Sequence, residues 1–188
     1  SKFRISDALM AIYKLFWDDY CSWYLELVKP AYGASIDEAT YQATKGFFDK
    51  LLRLIHPIMP FITEELWHAM DESREGETIM YASAPKAAAY DSRFLDQFEL
   101  ARQIIVGVRG VRARKQISPK EALRIRIQGE FDAELLPVVA KLANISEFIQ
   151  EVSGGAVNFI VGTLKVDVPL EGLVNTEEEK AKLLSELE

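Results

Sequence analysis

The hydrophobic period of this chain changes near Ser118-Pro119, and no other feature constrains the fold so strongly. Before that point, apolar residues recur every three or four positions, the spacing of a helical face. Leu9, Ile12, Phe16, Tyr20, Trp23 and Leu27 form one row after Ser6, with Tyr13, Trp17, Cys21, Tyr24 and Val28 beside it. A helix apolar on so much of its girth is expected at the centre of a bundle. Ser6 suits its N-cap, and Pro30 with Gly33 ends it. Ser35 and Glu38 have the spacing of a capping box before a second helix with Phe47, Phe48, Leu51, Leu54 and Ile55 inward. Pro57 and Pro60 break that helix, and Pro60 can open a third, short one reaching Met70. Residues 71–90 read as a loop. A fourth, long helix begins near Asp91, with Phe94, Phe98, Ala101, Ile104 or Ile105, Val108 and Val111 as its buried stripe.

After residue 118 the period falls to two. Leu123, Ile125 and Ile127 alternate with Arg124, Arg126 and Gln128, as in a strand with one wet face. A short helix is expected over residues 132–142, and a strand around Ile145, Phe148 and Ile149. Residues 156–161 and 164–168 read as a hairpin turning at Gly162-Thr163, with Ser153-Gly154-Gly155 as a turn before it. The expected class is therefore mainly α, with a helical bundle over 1–118 and a small α+β subdomain over 119–170. Residues 171–188 complete the division. There Asn175 caps a helix rich in first-turn glutamates, with Leu183, Leu184 and Leu187 apolar. That last helix is either the start of a coiled coil or a terminal helix docked on its own domain.

Charge is segregated as sharply as period. The 188 residues carry a formal net charge of −7, which by itself disfavours a polyanion partner. Yet residues 102–126 hold eight bases (Arg102, Arg109, Arg112, Arg114, Lys115, Lys120, Arg124 and Arg126) against the single acid Glu121. The global sum averages this stretch against a strongly acidic remainder, and screening over about 8–10 Å makes the local patch the relevant quantity. Arg102, Arg109 and Arg112 share a helical face by spacing. Arginine's planar fork suits phosphate and stacks on bases. The competing reading is an ordinary solvated face. Trp17 and Tyr24 could stack unpaired bases, although an aromatic stripe at helical spacing is more often core.

Signs of catalysis are missing. Two histidines and one cysteine give no metal-ligand spacing, and His56 reads as a packed or capping residue. Cys21 reads as an inert thiol, and one cysteine fits a reducing, cytoplasmic setting. No glycine-rich phosphate loop occurs. The longest apolar stretch, residues 54–63, is interrupted by prolines and is far short of the ~20 residues of a membrane span. The N-terminus does not read as a signal peptide.

Three stretches resemble one family. Phe16-Trp17-Asp18-Asp19-Tyr20-Cys21-Ser22-Trp23-Tyr24-Leu25-Glu26 resembles the hallmark helix of valyl-tRNA synthetases. The run from His56-Pro57 through Pro60-Phe61 to Thr63-Glu64-Glu65-Leu66-Trp67 is similar to a stretch shared by the valyl, isoleucyl and leucyl enzymes. Arg109 and Arg112, followed by Ile117-Ser118-Pro119, resemble the valyl R-x-x-R…I-S-P segment. The resemblance implies the C-terminal anticodon-binding region of a class I aminoacyl-tRNA synthetase, and its partner would be the anticodon stem-loop of a tRNA. Arg109 and Arg112 lead the implied contacts, followed by Arg114, Lys115 and Arg102, with Trp17 and Tyr24 behind them. No catalytic residue and no metal ligand is expected. The signature motifs of the catalytic domain, HIGH and KMSKS, do not occur in this sequence. ATP with magnesium, and charging itself, are implied for a catalytic domain elsewhere in the same, expectedly monomeric, chain. By the same resemblance a first bundle helix lies upstream, and the acidic tail begins a coiled coil. The alternative role is a scaffold bracing the catalytic domain with little tRNA contact.

Overall fold

Residues 4–152 and 154–170 are described by a computed structural model, mainly helical with one small mixed sheet. Packing divides the chain into two compact units, one up to Ala89 and one from Tyr90.

In the first unit, α1 (Ile5–Lys14) continues into a π-helical segment (Leu15–Tyr24) and a closing α turn, α2 (Leu25–Val28). Ser22 Oγ donates to Trp17 O, five residues back, at 2.8 Å, matching the i→i+5 spacing of the π ladder. Such a ladder widens the turn beyond 3.6 residues, so aromatic side chains four apart come close to register. Tyr13 lies over Trp17 and Tyr20 over Tyr24, at 6.4 and 5.5 Å between ring centres. The helix does not start at a Ser6 cap. Arg4 occupies the N-cap position, and Ser6 lies inside the first turn.

α3 (Glu38–Ile55) starts one residue after Asp37, whose carboxylate accepts from Thr40 N at 2.9 Å. The expected Ser35–Glu38 box gives way to this cap because Asp37 places a charged acceptor against the positive helix end. α4 (Pro60–Ala69) has its proline in the first turn, as expected. Two short 3-10 turns, Glu72–Arg74 and Ile79–Tyr81, follow in the 71–90 stretch. The core of this unit joins Leu52, Trp67 and Ile79, with Phe48, Met70 and Ala82 against them. The first helix is not central to it. Tyr20 alone is buried between residues 5 and 28, and Leu9, Tyr13 and Trp17 are each about half exposed. Its aromatic width is spent on one partner, α3, through Phe16 and Tyr20 on Phe48 and Tyr24 edge-on to Phe47.

The second unit begins with α5 (Ser92–Arg114), capped by Asp91, which accepts from Phe94 N at 3.2 Å. Its buried stripe runs through Ala101, Ile104, Ile105, Val108 and Val111, while Phe94, expected inward, is exposed. Four strands follow: β1 (Leu123–Gln128), β2 (Ile145–Phe148), β3 (Ala156–Val161) and β4 (Leu164–Pro169), in the order β2-β1-β4-β3. β1 and β2 are parallel, joined across α6 (Leu136–Ala143). β1–β4 and β3–β4 are antiparallel. Leu123 and Ile125 are buried while Arg124 is exposed, the alternation expected of a sheet covered on one face. α5 supplies part of that cover, so the helix preceding the change of period packs with the strands after it. Period and packing change at different places because period reports local conformation and packing reports partners. The tail helix expected from Asn175, and Ser153 of the expected turn, lie outside the described residues.

Candidate functional site

The end of α5 concentrates the basic residues, and their side chains go to different places. Arg112 turns inward and is 6% exposed. Its Nη1 donates to Ser118 O at 2.9 Å, and its Nη2 to Ala143 O and Asn144 O, each at 3.0 Å. Arg109 stays exposed and donates from Nη2 to Leu142 O at 2.9 Å. Both arginines thus converge on the C-terminus of α6, whose last carbonyls lack intrahelical partners and carry the negative end of the helix dipole. Burial pulls the Arg112 pKa down, with Glu121 opposing. The face shared by Arg102, Arg109 and Arg112 in a helical projection is therefore divided. Arg112 is an internal clamp, because its fork is matched to three carbonyls rather than left open for phosphate.

Arg114, in the last turn of α5, is exposed. Lys115, its C-cap, is half-buried. Arg102 is half-buried beside Glu99, at 3.5 Å. In the first unit Trp17 is 56% exposed and stacked on Tyr13 with planes 10° apart, an open aromatic surface. Tyr24 is occupied instead: its hydroxyl meets Thr44 Oγ1 at 3.2 Å and its ring packs on Tyr20 and Phe47. Tyr20 donates to Thr44 O, and burial pushes its phenol up to about 12, so it stays a neutral donor.

The histidine–proline–tryptophan stretch is a packing device. His56 Nδ1 lies 2.8 Å from Thr63 Oγ1, and Thr63 donates back to Met59 O. Trp67 Nε1 donates to Asp49 Oδ1 at 2.8 Å. Sequence reasoning passed over Asp49 and Asn144, which organise the two units. Asn144 takes a left-handed φ of 53° after α6, a position where asparagine is a known helix terminator. That signal could have been read.

Asp167, on β4, was also passed over. Burial of its carboxyl raises its pKa, but hydrogen bonds from Arg126 and Gln128 and the charges of Lys165 and Arg126 outweigh this and hold it below the ordinary range. Its charged form therefore adds stability above the unfolded-chain value near ~3.9, and that stability is lost as pH falls through the depressed folded value. Asp167→Asn should lower the urea midpoint of the second unit at pH 7, and the deficit should shrink as pH falls through the depressed folded value. A deficit independent of pH would show that the charge is not what counts.

Among the described residues, no three His, Cys, Asp or Glu side chains converge on a metal position, and no helix is long and apolar enough to cross a membrane. Residues 1–127 match the family described as the anticodon-binding domain of tRNA ligase. The whole chain is 53% identical to the valine–tRNA ligase of Parabacteroides distasonis and 48% identical to that of Porphyromonas gingivalis. It is 47% identical, over 99% of its length, to that of Phocaeicola vulgatus. In each case the chain covers 22% of the relative, so it spans about a fifth of the curated proteins it matches. The chain belongs to the anticodon-binding domain family of tRNA ligases and corresponds to the C-terminal anticodon-binding region of the valine enzymes.

Proposed function

We propose that this chain is the tRNA anticodon stem-loop-binding module of a valine–tRNA ligase, supporting ATP-dependent attachment of valine by catalytic domains elsewhere in the enzyme. The observation that carries the reading is the family match over residues 1–127 together with whole-chain identity to valine–tRNA ligases. The side chains add to it. Arg114, Lys115 and the outward edges of Arg109 and Arg102 are assigned to backbone phosphates, the contacts that dominate affinity and its salt dependence. Trp17, backed by Tyr13, is assigned to stacking on an unpaired base. Arg112 and Tyr24 support these groups from inside their own units. ATP and magnesium are assigned to the rest of the ligase, as the resemblance to class I aminoacyl-tRNA synthetases implies. The 171–188 stretch is read as the beginning of a coiled coil, and the setting as cytoplasmic.

A scaffold role is the second reading. It is favoured by the burial of Arg112 and by apolar side chains left open around the start of α4, where Ile58, Met59, Phe61 and Ile62 are exposed. Titrating the chain with a valine tRNA's anticodon stem-loop over a range of salt separates the two. Binding should weaken with salt, and Arg114→Ala should lower the logarithmic slope by about one. Trp17→Ala should weaken binding by about 1–3 kcal/mol while leaving the slope unchanged. Absence of salt-dependent binding by the parent chain would favour the scaffold.

A further inference from the structure

The segment between α5 and β1, residues 115–122, has no regular secondary structure, yet it is fixed at nearly every step. Gln116 takes a left-handed φ of 54°. Ile117 is buried, and its N–H donates to Arg112 O at 2.9 Å. Ser118 O accepts from the Arg112 fork. Asn144 Nδ2 donates to Pro119 O at 3.0 Å and to Glu121 O at 3.1 Å. Asn144 O then accepts from Leu123 N, the first residue of β1. Two side chains, Arg112 and Asn144, therefore gather three loop carbonyls. Ser118, Pro119, Lys120 and Glu121 are left exposed at the surface, and Arg114 is exposed just before them.

This is costly equipment for a mere connector. Arg112 and Asn144 also close the end of α6, but the third arm of the fork and both bonds of the amide are directed at the loop and fix its shape. Three of the loop's carbonyl oxygens are taken up by these two side chains, and Arg114, Lys115 and Lys120 outnumber the one acid, Glu121, a balance suited to an anion. We propose that Arg112 and Asn144 are positioning residues that hold residues 115–122 as a preformed RNA-backbone contact, in which Lys120 joins Arg114 and Lys115 on the phosphates. Because the loop is already ordered, binding does not have to immobilise it, which favours affinity. The inference rests on the anticodon-module reading and adds to it a contact, Lys120, and two positioning residues.

The test uses the full 188-residue chain and the valine tRNA anticodon stem-loop. Lys120→Ala should weaken binding about three- to tenfold at low salt and reduce the salt slope by about one. Asn144→Gly keeps the left-handed backbone and the net charge but removes both loop bonds. It should also weaken binding severalfold and lower the slope, with thermal unfolding monitored in parallel. Arg112→Lys keeps the charge while losing the fork, and should behave alike. If the parent chain binds and Lys120→Ala changes neither affinity nor slope, the loop contact is refuted. If Lys120→Ala weakens binding but Asn144→Gly and Arg112→Lys bind as the parent chain does, the positioning role is refuted. Failure of the parent chain itself to bind refutes the anticodon-module reading, and this inference with it.

Discussion

Asp49→Ala is expected to destabilise the first unit by about 3 kcal/mol, the largest single-residue loss anticipated in this chain. The carboxylate is the hub on which α3, α4 and the following turn meet. Oδ1 accepts from Trp67 Nε1 at 2.8 Å and pairs with the Arg74 guanidinium at 3.2 Å, while Oδ2 pairs with that of Arg53 at 2.7 Å. Arg74 also lies over the Trp67 ring, 4.2 Å from its centre, and donates to Trp67 O. Removing the carboxylate leaves a buried indole N–H without its acceptor and takes the carboxylate partner from Arg53 and its nearer one from Arg74. Partial rehydration of Arg53 and Arg74 keeps the loss from being larger. Asp49→Asn retains an acceptor for Trp67 and should lose roughly half as much. The three tryptophans, Trp17, Trp23 and Trp67, all lie in the first unit, so tryptophan fluorescence in urea reports on it selectively. A loss below about 1 kcal/mol would mean that the hub is replaceable by water.

The legible parts of this fold were those set by local chemistry. Alternation at Leu123, Ile125 and Ile127 marked β1, Gly162-Thr163 marked the hairpin, and Pro60 marked the start of α4, because each acts within a few residues. The π segment was not legible. Its apolar rows satisfy a 3.6-residue template, and the change of ladder lies in the backbone, which side-chain spacing does not report. The breadth of its aromatic face suggested a central helix, yet periodicity reports which side chains want cover and not whether cover is present. Phe94 repeats the lesson on α5: it fits the stripe, but the buried contacts begin at Ala101.

For the candidate site, the sequence exposed the density of arginine but not its division of labour. Arg109 and Arg112 stand three apart in one motif, and a helical projection treats them alike. What separates them is the position of the α6 C-terminus, about thirty residues away in sequence. Arg112 reaches its carbonyls and is buried, whereas Arg109 touches one carbonyl and stays exposed. The same motif thus holds a structural cation and an accessible one.

Gly107 presents the opposite case, a residue with no chemistry of its own whose replacement should be felt throughout the second unit. It sits in the middle of α5, where alanine would normally gain about 1 kcal/mol in helix propensity. Here the Phe159 ring of β3 lies against the bare Cα. A methyl group would come within 2.7 Å of Phe159 Cδ2 and closer still to Cε2 and Cζ. The ring is stiff and lies between helix and sheet, so relief requires either an unfavourable rotamer or separation of α5 from β3. Overpacking of this kind costs about 1–3 kcal/mol, and a contact this short belongs near the upper end, exceeding the propensity gain. Gly107→Ala should therefore destabilise the second unit by about 2 kcal/mol, read as faster amide exchange in both α5 and β3. Combining it with Phe159→Leu, which removes the ring edge, should recover most of the loss relative to Phe159→Leu alone. If Gly107→Ala proves neutral or stabilising in the parent background, the propensity term wins, and Phe159 is free to move aside.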